Sequence, residues 1–191
     1  MHELADRGPV GRVEVVPQHG HEESTEVARA VPLARGWLRQ LDTARNGLFY
    51  DGSLDAGSYL RWLRDTGVSY VALPTGPLDW PAGREAALLR RGVPGLREVW
   101  ADRRWRLFEV PGSGVVEGGG RLVASDRSRM VVDVPRPGRV DVAVWWSRWS
   151  SLEGPPGCVR AGSRQGWTTL VADRPGRYVL TSSWRPAGRC G

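Results

Sequence analysis

The run Pro111-Gly-Ser-Gly-Val-Val-Glu-Gly-Gly-Gly120 limits what this chain can fold into. Glycine at that density does not sustain a regular element and marks a linker or wide turn. Before it, hydrophobic residues recur at both helical and strand spacing; after it, only at strand spacing. The division predicts an α+β chain: a small N-terminal α/β domain over 9–111, a glycine-rich linker over 112–120, and a small antiparallel β-sandwich over 121–191. A chain of 191 residues is long enough for two such domains.

In the N-terminal half, Arg12-Val13-Glu14-Val15-Val16 reads as a strand ended by Pro17. Glu22 to Ala30 suits a short helix, stopped near Pro32 because a residue before proline avoids the α region. Pro32 to Tyr50 reads as a loop that holds polar groups against aromatics. Ser53 is placed to cap a helix from Leu54 to Thr66, with Asp55 in its first turn and Gly67 as its stop. Leu54, Tyr59, Leu60 and Leu63 share one face of that helix. Val68 to Leu73 is a buried strand halted by Pro74. A second helix runs from Ala82 to Arg91, with Leu88 and Leu89 inward and Gly92 closing it. Leu96–Ala101 and Trp105–Val110 flank Asp102-Arg103-Arg104 as a β-hairpin. Strand, helix, strand, helix, hairpin is the order of a small α/β layer.

The C-terminal half contains an echo. Arg136-Pro-Gly-Arg139 and Arg174-Pro-Gly-Arg177 each separate β-rich runs, with the residues of a type II turn. Met130–Val134 is expected to pair with Val140–Trp146, and Trp167–Ala172 with Tyr178–Ser182, as two hairpins of a sandwich.

The chain has no lysine, so all 27 basic residues are arginine, and the net charge is +6. Such a balance allows attraction to phosphates or anionic headgroups. The arginines are scattered among acids rather than gathered in runs, which argues against a nucleic-acid footprint. No stretch approaches the ~20 apolar residues of a membrane span. The opening sequence MHELADRGPVGRVEVV lacks the pattern of a secretion leader and, taken literally, indicates the cytoplasm. Cys158 and Cys190 point the other way. Both lie in Gly/Pro-rich sequence, and a disulfide between them would staple the C-terminal domain by about 3–4 kcal/mol and require an oxidising compartment. The alternative is two reduced thiols. Zinc does not fit two isolated cysteines.

His19, His21, Glu22 and Glu23 carry metal-ligand chemistry, but without a third ligand at a fixed helical spacing they read equally as an acidic helix opening. No metal site and no cofactor is therefore expected. Asp42, Asp51 and Asp55 cluster near Gln40 and Asn46; they suit acid–base chemistry on a sugar, hydrogen bonding to sugar hydroxyls, or turn and first-turn positions. Trp145, Trp146 and Trp149 are dense. On a strand Trp145 and Trp146 face opposite ways, so at most one of them is core. Trp149 is a candidate for stacking on a glycan ring, or for packing on the neighbouring domain. Ser147, Ser150 and Ser151 have neither a G-x-S-x-G context nor a histidine in that half, so a serine hydrolase is unsupported.

The run ARGWLRQLDTARNGLFYDGSL, the phrase YLRWLRDTGVSYVALP, the later LREVWADRRWRLFEV and the RPGR phrases together resemble a known family. It is that of actinobacterial polytopic membrane proteins similar to GT-C-type glycosyltransferases, also described as 6-pyruvoyl-tetrahydropterin-synthase-related membrane proteins. The resemblance covers nearly all of the chain from about Arg12. It implies an extracytoplasmic C-terminal region, with the transmembrane part of a parent protein or subunit as partner. It also implies that Arg35, Trp37, Arg39, Gln40, Asp42, Asn46 and Tyr50 face that membrane part or an acceptor. Such enzymes place their catalytic acid in an early loop near the membrane, so no catalytic residue is carried over. The expectation is a non-catalytic domain pair that positions a sugar or lipid-linked glycan, with arginines on phosphate and tryptophans on rings. A free-standing carbohydrate-binding sandwich, a soluble enzyme using Asp42 and Asp51, and a purely structural or interaction role are the alternatives.

Overall fold

The computed structural model describes residues 11–21, 27–29, 31–36, 38–126, 128–164 and 166–191. The chain is α+β and falls into two compact units; among the described residues the first takes Arg12–Ser113 and the second Gly114–Gly191 with Gly11.

In the first unit, strands β1 (Arg12–Val15), β2 (Val68–Pro74), β3 (Arg97–Ala101) and β4 (Trp105–Glu109) form one sheet in the order β1-β2-β4-β3. β1 and β2 are parallel, and the chain between them makes the crossover that parallel pairing needs. β4 runs antiparallel to both neighbours, and β3–β4 is the expected hairpin. Among the described residues three α-helices accompany the sheet: α1 (Arg39–Arg45), α2 (Ala56–Asp65) and α3 (Ala82–Arg91). Phe49, Tyr59, Leu63, Val71, Ala86, Leu89 and Phe108 are among the residues of one buried core.

Helix α2 starts two residues later than its sequence suggests. Asp55, not Ser53, is the N-cap: its carboxylate accepts from Ser58 N–H at 2.7 Å, and Ser58 Oγ accepts from Asp55 N–H at 2.9 Å. Asp outcompetes Ser here because the second contact closes a reciprocal capping box. Ser53 N–H instead bonds Asp51 Oδ1. Gly67 follows the helix at φ 68°, the left-handed turn that glycine adopts without strain. The segment read as a loop from Pro32 to Tyr50 contains α1 and a 3-10 turn over Gly47–Phe49. Of the helix expected over Glu22–Ala30, Glu22–Glu26 and Ala30 lie outside the described residues, and Val27–Arg29 forms a 3-10 turn.

Among the described residues the second unit is an antiparallel sandwich of eight strands in two sheets of four. β5 (Val116–Glu117), β8 (Gly138–Trp145), β10 (Gly157–Ala161) and β11 (Trp167–Ala172) form one, ordered β10-β11-β8-β5. β6 (Arg121–Ser125), β7 (Arg129–Val134), β9 (Ser150–Glu153) and β12 (Gly176–Ser182) form the other, ordered β6-β7-β12-β9. Val132, Val140, Val142, Leu170 and Tyr178 are buried in their shared core.

Two expectations are corrected here. β7 does not pair with β8, nor β11 with β12: each Arg-Pro-Gly-Arg turn carries the chain from one sheet to the other. The local hairpins are β6–β7 and β10–β11. Nor is 112–120 a free linker, since β5 lies within it and Val115 is buried. Two of its glycines are required by packing. A Cβ on Gly118, at φ 85°, would stand 2.9 Å from the Arg139 carbonyl oxygen, and one on Gly120 would stand 2.7 Å from Val140 Cγ1.

Cys158 and Cys190 are joined as a disulfide. The C-terminal tail lies along the edge strands of both sheets: Leu152 N–H donates to Ala187 O, Val159 N–H to Gly188 O, and Cys190 N–H to Val159 O. It thereby covers two edges that would otherwise offer unpaired backbone groups. The Tyr178 hydroxyl lies 2.7 Å from the Arg174 carbonyl, the contact of a tyrosine corner in sandwich folds. Among the described residues no helix is long and apolar enough to cross a membrane.

Candidate functional site

Val13 N–H donates to Pro32 O, and Ala34 N–H to Val13 O, so residues 32–34 run beside β1 and deliver Arg35 to Glu14. Arg35 Nε and Nη2 both donate to Glu14 Oε1, at 2.9 and 2.5 Å. Nη2 also donates to Glu85 Oε2 at 2.7 Å. Nη1 lies 3.6 Å from Asp42 Oδ2. Glu14 and Glu85 are fully buried and Arg35 nearly so. The guanidinium rests on the Phe49 ring at 3.7 Å.

Hydrogen bonds extend outward from this centre. Tyr59 donates to Glu85 Oε1 at 2.6 Å. Asp42 receives Tyr50 OH at 2.5 Å and Asn46 Nδ2 at 2.7 Å, and Asn46 Oδ1 accepts from Trp62 Nε1 at 2.9 Å. Arg39 Nη2 donates to Asp79 Oδ2 at 2.6 Å, and Asp79 Oδ1 accepts the Trp80 N–H at 2.9 Å. His21, the only non-glycine residue at positive φ among those described, lies with Nε2 3.8 Å from Asp79 Oδ2.

Around Arg35 stand three carboxyl groups. Burial pushes the Glu14 carboxyl up to about 8, against the opposing pull of Arg35, and Glu85 adds to the rise. Burial raises Glu85 as well. Both shifts favour the protonated form, which lessens the excess negative charge around Arg35. Among the described residues Glu14 Oε2 has no hydrogen-bond partner. Arg35 stays charged: burial opposes this, but Glu14 and Glu85 raise it above its ordinary value. Burial, and then the bond to Asp42, push Tyr50 up to about 12.

Above Asp42 a shallow pocket opens, lined by His21, Arg35, Arg39, Asp42, Tyr50 and Asp79 among others, with a cavity volume of about 20 Å³. That is room for about one water molecule. Trp80, between the lining residues Asp79 and Pro81, is 71% exposed, with the Arg39 guanidinium 5.5 Å from its ring and Tyr50 edge-on at 6.0 Å. Leu38 and Leu41 of the same unit are also exposed.

The structure thus brings Arg35, Arg39, Asp42 and Tyr50 together around the pocket, with Asn46 bonded to Asp42. Arg35, expected to meet phosphate, is instead enclosed by carboxyl groups. Gln40 is exposed on α1, and Trp37 lies outside the described residues. Trp149 belongs to the second unit, half-buried, with Trp184 edge-on at 5.2 Å and the Arg148 guanidinium 4.5 Å over its ring. Trp184 is 87% exposed. The core tryptophan of this unit is Trp167; Trp145 is exposed and Trp146 half-buried. Ser147, Ser150 and Ser151 hydrogen-bond backbone groups of the turn and tail. Asp51 and Asp55 are exposed and serve the turn and the cap before α2. Of the His19–Glu23 cluster, Glu22 and Glu23 lie outside the described residues; among the rest no group of three His, Cys, Asp or Glu side chains could hold a metal ion.

Glu14, Glu85, Tyr59, Asp79 and Trp80 went unread as site residues. Two of them carry a signal. Glu14 is a lone charge within the valines of β1, and Glu85 falls on the helical stripe of Ala82, Ala86 and Leu89. Trp80 carries none, since sequence does not tell an exposed tryptophan from a core one. Comparison of the chain with protein-family models, curated proteins and solved structures finds no match.

Proposed function

We propose that this chain is a non-catalytic, extracytoplasmic pair of domains from a membrane glycosyltransferase-like protein, holding a sugar or lipid-linked glycan. The observation that carries this reading is Trp80: a large ring 71% exposed and touched by Arg39 and Tyr50, which line a pocket with Asp and His groups. An exposed aromatic face beside convergent hydrogen-bonding groups suits a sugar, which has an apolar ring face and hydroxyl edges. Binding fits better than bond-making, because Glu14, Glu85, Asp42 and Asp79 are each engaged by an arginine. The Cys158–Cys190 disulfide supports an oxidising compartment. The transmembrane region of a parent protein or subunit remains the proposed partner.

The edge-to-face pair of Trp149 and the 87% exposed Trp184 favours a second reading, a carbohydrate-binding sandwich. Titrating neutral cell-wall oligosaccharides into the whole chain separates the two. Trp80→Ala is expected to weaken binding by roughly three- to tenfold, the worth of one aromatic contact, while Trp184→Ala leaves it unchanged. The reverse pattern would favour the sandwich. Absence of binding by the unaltered protein would sink both.

A further inference from the structure

We propose that the end of the sandwich where β8, β9 and β12 meet docks on an anionic lipid surface through its tryptophans and arginines. This goes beyond the glycan reading of the first unit and does not depend on it.

The topology gathers this surface from separate segments. β8 ends at Trp145 and β9 begins at Ser150, so residues 146–149 cross from one sheet to the other at this end. Ser183 N–H, just past β12, donates to Trp149 O at 2.9 Å, and Trp146 N–H donates to Gly166 O at 2.8 Å. Trp184 thereby comes edge-on to Trp149, with ring centroids 5.2 Å apart. Trp184 and Trp145 are both exposed, and two large rings left to solvent at one end of a domain mark a contact surface.

The cations set among these rings are uncompensated. The Arg148 guanidinium stacks over Trp149 at 4.5 Å, and that of Arg189 over Trp146 at 5.5 Å. Arg185 follows Trp184, and all three arginines are exposed. Among the described residues no acid pairs with any of the three, whereas Asp126 and Glu117 are taken up by Arg129 and Arg164. A guanidinium stacked on an indole keeps its N–H edge available to phosphate oxygens. Residues 114–191 hold twelve arginines and six acids, while residues 1–113 are balanced. The whole charge of +6 therefore falls in this half of the chain.

The hydroxyl groups at this end are committed elsewhere. Ser147, Ser150, Ser151 and Ser183 each accept a backbone N–H through Oγ. What remains for a ligand is indole rings and guanidinium groups. A ring with an apolar body and one N–H settles at the depth of lipid headgroups, and arginine pairs with the phosphates there. An anionic bilayer interface meets both needs. A neutral glycan brings no negative charge, and a soluble phosphate brings no apolar layer.

The test is co-sedimentation of the whole chain with phosphatidylcholine vesicles and with mixed phosphatidylcholine–phosphatidylglycerol vesicles, at low and high salt. Indole fluorescence is followed in parallel. Binding is expected to the anionic vesicles, with a blue-shifted emission, and it should weaken as salt rises. Trp184→Ala should lower the partition about tenfold, as for partial burial of one aromatic side chain. Arg148→Gln combined with Arg185→Gln should lower it about 25-fold, at about fivefold for each cation. Arg136→Gln combined with Arg174→Gln is the control, since their turns lie at the opposite end of β8 and β11. It should change the partition by no more than about threefold. Equal losses from both arginine pairs, with no effect of Trp184→Ala, would show diffuse attraction by net charge and overturn the docking surface. Failure to bind anionic vesicles would overturn it as well. A fluorescence response to neutral oligosaccharides that Trp184→Ala removes, without vesicle binding, would assign the surface to glycan instead. None of these results bears on Trp80, whose own test is the sugar titration.

Discussion

Removing the Arg35 guanidinium would leave Glu14 and Glu85 facing each other inside the core without a cation. Arg35→Met is therefore expected to cost about 3–5 kcal/mol in chemical denaturation of the first unit, the loss typical of a broken buried ion pair. Asp42→Ala should also destabilise, because its carboxylate anchors Tyr50 and Asn46. The Glu14 carboxyl is raised to about 8 in the fold from an ordinary value of 4.5. Between those values the folded state keeps a proton that the unfolded chain has released. Stability from this group is complete below the lower value and declines as pH rises through the upper one, and Glu85 shifts in the same direction. The first unit should resist denaturant better at about pH 5 than at about pH 9, and Glu14→Gln should flatten most of that slope. A flat profile in the unaltered protein would show that the pair holds no proton. The grouping of Arg35, Asp42, Asn46 and Tyr50 was legible as polar residues set among aromatics. Their partners Glu14 and Glu85 were not, because they come from a distant strand and a distant helix.

At the scale of elements, α2 makes the sharpest distinction. Asp55→Ala should cost about 1 kcal/mol through loss of the cap, whereas Ser53→Ala should stay within about 0.5 kcal/mol. Thermal denaturation of the two variants decides between the caps. The bounds of α3 and its glycine stop could be read directly, since apolar spacing and Gly92 agree. Helix α1 could not. Its one buried residue is Asp42, and its Leu41 points to solvent, so it lacks the apolar stripe by which helices are recognised. Leu41→Ser should therefore change stability by no more than about 0.5 kcal/mol, as for other surface positions. In the sandwich β5, β6, β9 and β10 went unread, while β7, β8, β11 and β12 were legible from alternation. Their partners were not: Pro-Gly signals that the chain reverses, but not whether it returns to the same sheet.

For the molecule as a whole, the α+β division follows from where helical spacing ends along the chain, and the structure agrees. The glycine run at that point was misread, because glycine serves close packing as well as flexibility. Reduction of Cys158–Cys190 is expected to destabilise the second unit by about 3–4 kcal/mol, detected as a lower unfolding midpoint for that unit. The tail that this disulfide holds should lose its hydrogen-exchange protection in the same experiment. The passage of each Arg-Pro-Gly-Arg turn between sheets also governs how the sandwich assembles. Only β6–β7 and β10–β11 can form from neighbouring residues; β8 and β12 must each insert beside a hairpin made elsewhere in the sequence. Loop-closure entropy is incurred before those contacts stabilise anything, which places refolding of this unit in the millisecond-to-second range of all-β domains. During that interval the two hairpins stand with open edges, and crowding at that stage favours association between chains over completion within one.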